Sequence, residues 1–302
     1  MDVEDAAFGA HPEAAVGSAL TSPDPRSRWL AAVVLGAQGH YAAAATALTH
    51  LLAAPAPYAS LAASTLASHH RQLGDHATAR TLDARALRES SGPAPAVLRS
   101  GAAGHAFAEA RADALLGLAA DAVGRGRLDE ARRLHARVRP TTWRSEVRHR
   151  WVGAEIHLAG GHAERAVPEA EAAAEVSRAA GGTRHLLKSD LVLGTALVVW
   201  GTPESVARGV DLLLCDLNHI NRRGLISLSW PTAHVLSGVV TFRNTAEGEN
   251  LAKIAATALS CVLRRADHRS RRAASASPWV PTALLRSGEP PNADPGANFL
   301  TD

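Results

Sequence analysis

One spacing recurs along this chain that few folds accommodate. A small residue is followed by Gly seven positions later and by another small residue five positions after that. Ala32–Gly39–Ala44, Ala67–Gly74–Ala79, Ala119–Gly126–Ala131 and Ala154–Gly161–Ala166 keep the spacing unchanged, and Gly194–Gly201–Ala207 keeps it with one extra residue after the turn. Apolar residues recur every three to four positions on both sides of each Gly, the period of a helix face. Glycine readily takes the left-handed conformation that closes a helix C-terminus. Each copy therefore reads as two helices joined by a tight turn, with one small residue per helix where the two touch. A single such hairpin cannot bury its apolar face, so successive hairpins must stack.

Composition agrees with a helical chain. Alanine supplies about a fifth of the 302 residues, and it is the strongest helix former. Hydrophobic residues make up 46%, enough for a core. No apolar run reaches the ~18 residues a bilayer span needs. The acidic start, Met1 to Asp5, lacks the form of a signal peptide. Cys215 and Cys261 form no disulfide framework or zinc pattern. These features predict a soluble, cytoplasmic, all-α protein and imply no cofactor or metal.

The turn sequences Gly39-His40-Tyr41-Ala42-Ala43-Ala44 and Gly74-Asp75-His76-Ala77-Thr78-Ala79, and more loosely Gly126-Arg127-Leu128-Asp129-Glu130-Ala131, resemble the G-D-Y-x-x-A turn of the tetratricopeptide (TPR) family, over about residues 26–222. Successive turn glycines lie 35, 52, 35 and 40 residues apart, against a family unit of 34. The resemblance implies a right-handed TPR-like α-solenoid of five to six hairpins. The expected map is a flexible N-terminal arm over 1–25, a repeat domain over 26–267 and a disordered basic, Pro/Ser-rich tail over 268–302. Helix pairs are expected at about 26–54, 57–90, 105–139, 142–180, 183–222 and 226–267, with a loop over 91–104 taking up the long interval.

In the TPR family the first helices of successive hairpins line a concave groove. The resemblance puts Arg26, Trp29, Arg71, Arg148, Trp151, Glu155, Lys188 and Thr195 on that surface. Three of the five first helices begin the stripe with a residue at which Arg or Lys stands (Arg26, Arg148, Lys188), and two follow it with Trp; Arg144 and Arg184 lie one turn earlier than Arg148 and Lys188. Cations beside Trp suit an acidic or carboxylate-bearing peptide, because Arg offers a bidentate fork and Trp a flat apolar anchor. Cations near helix N-termini also oppose the helix dipole, a cost that calls for a compensating gain.

His70, His76, His135 and His157 stand where such repeats place rings between helices, so they are expected to be structural and not metal ligands. The basic run from Arg264 to Trp279 reads first as a solvated helix end, and second as a contact for phosphates or anionic lipid; within it Ser275 resembles a basophilic kinase acceptor. Pro278 to Leu285 is the one apolar stretch of the tail, fit to dock in cis or on a partner. No nucleophile elbow, P-loop, HExxH or dinucleotide fingerprint is present. The sequence thus predicts a non-enzymatic protein- or peptide-binding scaffold or regulatory adaptor. The alternatives are a helical sensor tied to transcription or RNA binding, and an enzyme of unrecognised class.

Overall fold

A computed structural model describes residues 2–91, 101–241 and 244–287. Among the described residues the fold is helical, with no strand. Two short helices, α1 (Val3–Phe8) and α2 (Gly17–Leu20), come first. Six pairs follow: α3 (Pro25–Ala37) with α4 (Tyr41–Leu51), α5 (Tyr58–Gln72) with α6 (His76–Glu89), α7 (Gly101–Gly124) with α8 (Leu128–His135), α9 (Trp143–Ala159) with α10 (Ala163–Ala179), α11 (Thr183–Trp200) with α12 (Pro203–Arg222), and α13 (Ile226–Val240) with α14 (Thr245–Arg264). Helices α15 (His268–Ala276) and α16 (Ala283–Ser287) complete the described chain. None of these helices is long and apolar enough to cross a membrane.

The turn glycines do what their spacing requires. Gly39, Gly74, Gly126 and Gly161 have φ of 79°, 76°, 71° and 79°. In each turn the N–H after the glycine donates to the carbonyl five residues earlier: His40 to Leu35 (2.8 Å), Asp75 to His70 (2.9 Å), Arg127 to Ala122 (2.8 Å) and His162 to His157 (2.9 Å). That bond satisfies carbonyls the helix end would otherwise orphan. Gly201 differs, as its irregular spacing suggests. Its own N–H reaches Leu197 (3.4 Å), and Thr202 then caps α12 by accepting from the Ser205 N–H (3.1 Å). Ala32, Ala44, Ala67, Ala79, Ala119, Ala131, Ala154 and Ala166 are all fully buried.

The last pair meets the first. Ser227 donates to the Ala37 carbonyl (2.8 Å), Arg265 donates to the Gln38 carbonyl (3.2 Å), and the Ala42 N–H donates to the Arg265 carbonyl (2.8 Å). Tyr41 and Leu73 share a buried cluster with Leu259, Val262 and Leu263. The sixth pair thus packs directly against the first.

Three expected boundaries need correction. Residues 1–25 were expected as a flexible arm, yet α1 and α2 bury Ala6, Ala7, Ala14 and Val16 in the same cluster as Trp29 and Leu30. Gln38 also ties Pro12 and Ala14 by their carbonyls (3.1 and 3.2 Å). The tail expected as disordered from 268 instead continues as α15 and α16. Ala274 and Val280 enter the cluster of Tyr41 and Leu73, and Trp279 donates its indole N–H to the Gly124 carbonyl (3.1 Å). At the Gly74 turn Ser277 donates to the Gly74 carbonyl (3.3 Å), and Val280 joins the cluster of Leu73. Of the loop expected over 91–104, residues 101–104 belong to α7, while 92–100 lie outside the described residues, as does the tail beyond 287.

Candidate functional site

The inner faces of α3, α5, α7, α9 and α11 converge on one cavity of about 130 Å³. Of the eight residues expected on the concave surface, Trp29, Arg71, Arg148, Trp151, Glu155 and Lys188 line it. Arg26 and Thr195 do not. Arg26 stands in the first turn of α3 and turns outward, where Glu4 of α1 takes its guanidinium (2.6 Å). Thr195 lies about two turns beyond Lys188 along α11, past the end of the cavity, and its hydroxyl donates to the Leu191 carbonyl (2.7 Å).

The tryptophans are walls of this cavity and not open anchors. Trp29 and Trp151 are buried, with their indole N–H groups given to Thr65 (3.0 Å) and Ser189 (2.9 Å). His185 stacks on Trp151 (centroids 5.5 Å apart) and meets Trp143 edge-on (5.0 Å). Burial first, and then the surrounding Arg and Lys groups, push His185 well below the usual imidazole range. His69 is held down to about 3, chiefly by burial, and stacks on Tyr41 (4.8 Å). Its ring fits because residue 36 is glycine: a Cβ there would stand 2.2 Å from His69 Nε2. The expectation of histidines as packing rings extends to His135, which stacks on His149 at 3.8 Å.

Five cations face the cavity, and they are not equally satisfied. Arg71 is held from behind by Asp83 and Asp121, and donates to the Gly117 carbonyl (3.2 Å). Arg144 donates to Asp113 (2.8 Å) and lies 3.4 Å from Glu109. Burial works against its charge, but Asp113 and Glu109 outweigh burial and hold its pKa above the usual value. Arg148 shares that same Asp113 (2.8 Å). Burial alone would raise Asp113; Arg144 and Arg148 together hold it below the usual carboxylate range.

Arg184 and Lys188, one turn apart on α11, have no such partner. Among the described residues Arg184 makes no hydrogen bond or ion pair, and its Nε is buried without an acceptor. Burial, then Arg148 and Arg144, lower it to about 10. The Lys188 ammonium sits 5.0 Å over the Trp151 ring with no carboxylate in ion-pair reach. Burial lowers it as well; Glu155 opposes that, while Arg184, Arg148 and Arg71 reinforce it. Two like-charged pairs four residues apart, 144 with 148 and 184 with 188, thus face one another on neighbouring helices. Each repels within its helix, and only the α9 pair has a carboxylate between its members.

Two members of the site were only half legible. Arg144 and Arg184 follow the charge stripe one turn up. Phe8 gave no signal, because it comes from α1 outside the repeats; its ring lies 5.6 Å from Trp29 and 5.8 Å from His185, with the Arg144 guanidinium 4.8 Å over it. The α9 N-terminus that presents Arg144 is fixed by a reciprocal cap between Thr142 and Ser145, with Thr142 also donating to Glu109 (2.6 Å).

The basic run near the C-terminus is largely tied to the protein itself. Arg265 and Arg271 donate to the backbone carbonyls of Gln38 and Ala266, and Arg269 lies 3.5 Å from the Thr78 hydroxyl. Ser275 is exposed and donates to the Arg272 carbonyl (2.9 Å).

No family model, curated protein or solved structure matches this chain.

Proposed function

We propose that this chain is a TPR-like helical-repeat protein, a right-handed superhelix of six hairpins closed on itself, that works by binding and not by bond chemistry. Its interior cavity receives an anionic group. The repeated turn closures and the fully buried alanine pairs support the repeat reading. The observation that carries the function is Arg184: a guanidinium set among other cations, with no carboxylate. Arg184 is half-buried with its Nε out of water and unpaired, which disfavours the charge, and its place in the first turn of α11 opposes the helix dipole. An arrangement that is unfavourable when empty becomes favourable once an anion sits between Arg184, Lys188 and Arg148.

The expected peptide groove bears on this in a specific way. Its stripe lines a small cavity of about 130 Å³, a space that suits one charged group better than an extended strand. The experiment is a pair of variants, Arg184→Gln and Lys188→Gln. Each should raise the melting temperature of the free protein, because it removes unpaired repulsion, and each should weaken the stabilisation that anions confer. Variants that melt well below the parent would mean the two cations serve the fold, and the binding reading would fall.

A further inference from the structure

We infer that the cavity takes a small, free oxyanion bearing two negative charges, such as a short dicarboxylate or a small phosphate ester. The inference rests on the anion reading above and goes further by naming the ligand class. Three observations lead to it.

The first is size. At about 130 Å³ the cavity is close to the roughly 150 Å³ of an engineered protein cavity that encloses benzene. A ligand of a few carbons fills such a space, and a whole peptide segment exceeds it.

The second is charge. The lining carries Arg71, Arg144, Arg148, Arg184 and Lys188 against Asp113 and Glu155. Asp83, Asp121 and Glu109 further satisfy Arg71 and Arg144. Arg148, Arg184 and Lys188 remain, opposed by Glu155 and by a share of Asp113. One carboxylate or phosphate edge can occupy the planar fork of Arg184. Lys188, a turn further along α11, has Glu155 opposing it only from beyond ion-pair reach, so a second negative charge on the ligand would meet it directly.

The third is closure. Phe8 forms part of the cavity wall where the first turns of α9 and α11 meet Trp29 of α3. The segment that carries it is fastened at exposed points: Glu4 to Arg26, the Thr183 N–H to the Gly9 carbonyl (3.1 Å), and Arg223 to the Ala10 carbonyl (3.0 Å) and Glu13 (2.9 Å). Beneath these contacts α1 buries Ala6 and Ala7 beside Trp29, so the segment holds Phe8 in place in the cavity wall.

The test is calorimetric titration of the full chain with succinate, glycerol phosphate, acetate and an eight-residue Glu/Asp peptide. One of the two dianions should bind at one per chain, at least tenfold more tightly than acetate and than the peptide; which of them it is separates the dicarboxylate from the phosphate source. Arg184→Gln and Lys188→Gln should each weaken it tenfold or more, whereas Arg208→Gln, at an exposed position of α12 where it pairs with Glu171 (2.7 Å), should leave it unchanged. Phe8→Ala should speed both association and release. The two charge variants act on the same ligand independently, so a folding defect in one leaves the other to decide, with circular dichroism as the check. Tighter binding of the peptide, or equal binding of acetate, would overturn the small-dianion inference while keeping the anion reading. If none of the four probes saturates below about 10 mM, the anion reading itself fails.

Discussion

Asp113 of α7 and Arg144 of α9 form an ion pair at 2.8 Å in which neither side chain is more than 7% exposed. This contact joins the third and fourth helix pairs, and through Arg148 the same carboxylate steadies a second cation. Removing one partner of a buried pair leaves the other charge uncompensated. Asp113→Ala is therefore expected to lower unfolding stability by about 3–5 kcal/mol, read from chemical denaturation. A loss below about 1 kcal/mol, the scale of exposed pairs, would show that Glu109 alone suffices for Arg144.

The turn glycines make a separable prediction. At Gly126, φ is 71° and a Cβ would meet nothing within 4 Å, so the penalty of a side chain is conformational alone. Gly126→Ala should cost about 1–2 kcal/mol, and Gly126→Asn less, since Asn tolerates the left-handed region. Gly117→Ala should be worse than Gly126→Ala for a different reason: its Cβ would stand 2.2 Å from Asp83 Oδ2, in the ion pair that holds Arg71. Equal melting points for the two alanine variants would contradict this division.

Ala119 and Ala131 are fully buried within the third pair, seven residues before and five after the Gly126 turn. Ala119→Leu inserts volume where the surroundings are closed, and should cost about 1–3 kcal/mol. The same change at the exposed Ala276 should be nearly silent. Thermal melts of the two variants side by side decide the matter.

Asp190 and Asp216, both buried, are pushed up to about 6 and about 7, in each case chiefly by burial; for Asp216 the neighbouring Asp190 adds to it. Between the ordinary carboxylate value and pH 7 the folded chain keeps a proton that the unfolded chain releases. Stability from this group is therefore lost as pH rises through that window, and the loss is complete above about pH 7. Asp216→Asn should raise the melting temperature over the parent more at pH 8 than at pH 4. A constant gain across that range would show that the carboxylate does not titrate there.

The C-terminal segment should prove part of the fold. Ending the chain after Ala266 uncovers Leu73, Val262 and Leu263 by removing Ala274 and Val280. The shortened protein should melt several degrees lower, and Trp279→Ala should give a smaller decrease of the same kind. An unchanged melting point for the shortened chain would mean that α15 and α16 merely rest on the surface.

What the sequence by itself determined is what depends on neighbours along the chain. Alanine content and the period of apolar residues determine helices. A glycine seven residues after a small residue determines where a helix ends and turns, because the left-handed closure is a local act of five or six residues. The resemblance to the TPR family picked out the helix face of Trp29, Arg71, Arg148, Trp151, Glu155 and Lys188, which line the cavity, along with Arg26 and Thr195, which do not. The tertiary structure alone decided what that face amounts to. Whether a cation is free or satisfied depends on carboxylates far away in sequence: Asp113 reaches α9 from α7, and nothing comparable reaches Arg184. The seam between the first and sixth pairs, and the place of Phe8 of α1 in the cavity wall, were decided only in the tertiary structure as well. Those contacts join residues some 180 to 230 positions apart, such as Ala37 with Ser227 and Gln38 with Arg265. No local pattern encodes them, because they arise only when the stacked pairs bring the two ends of the array together.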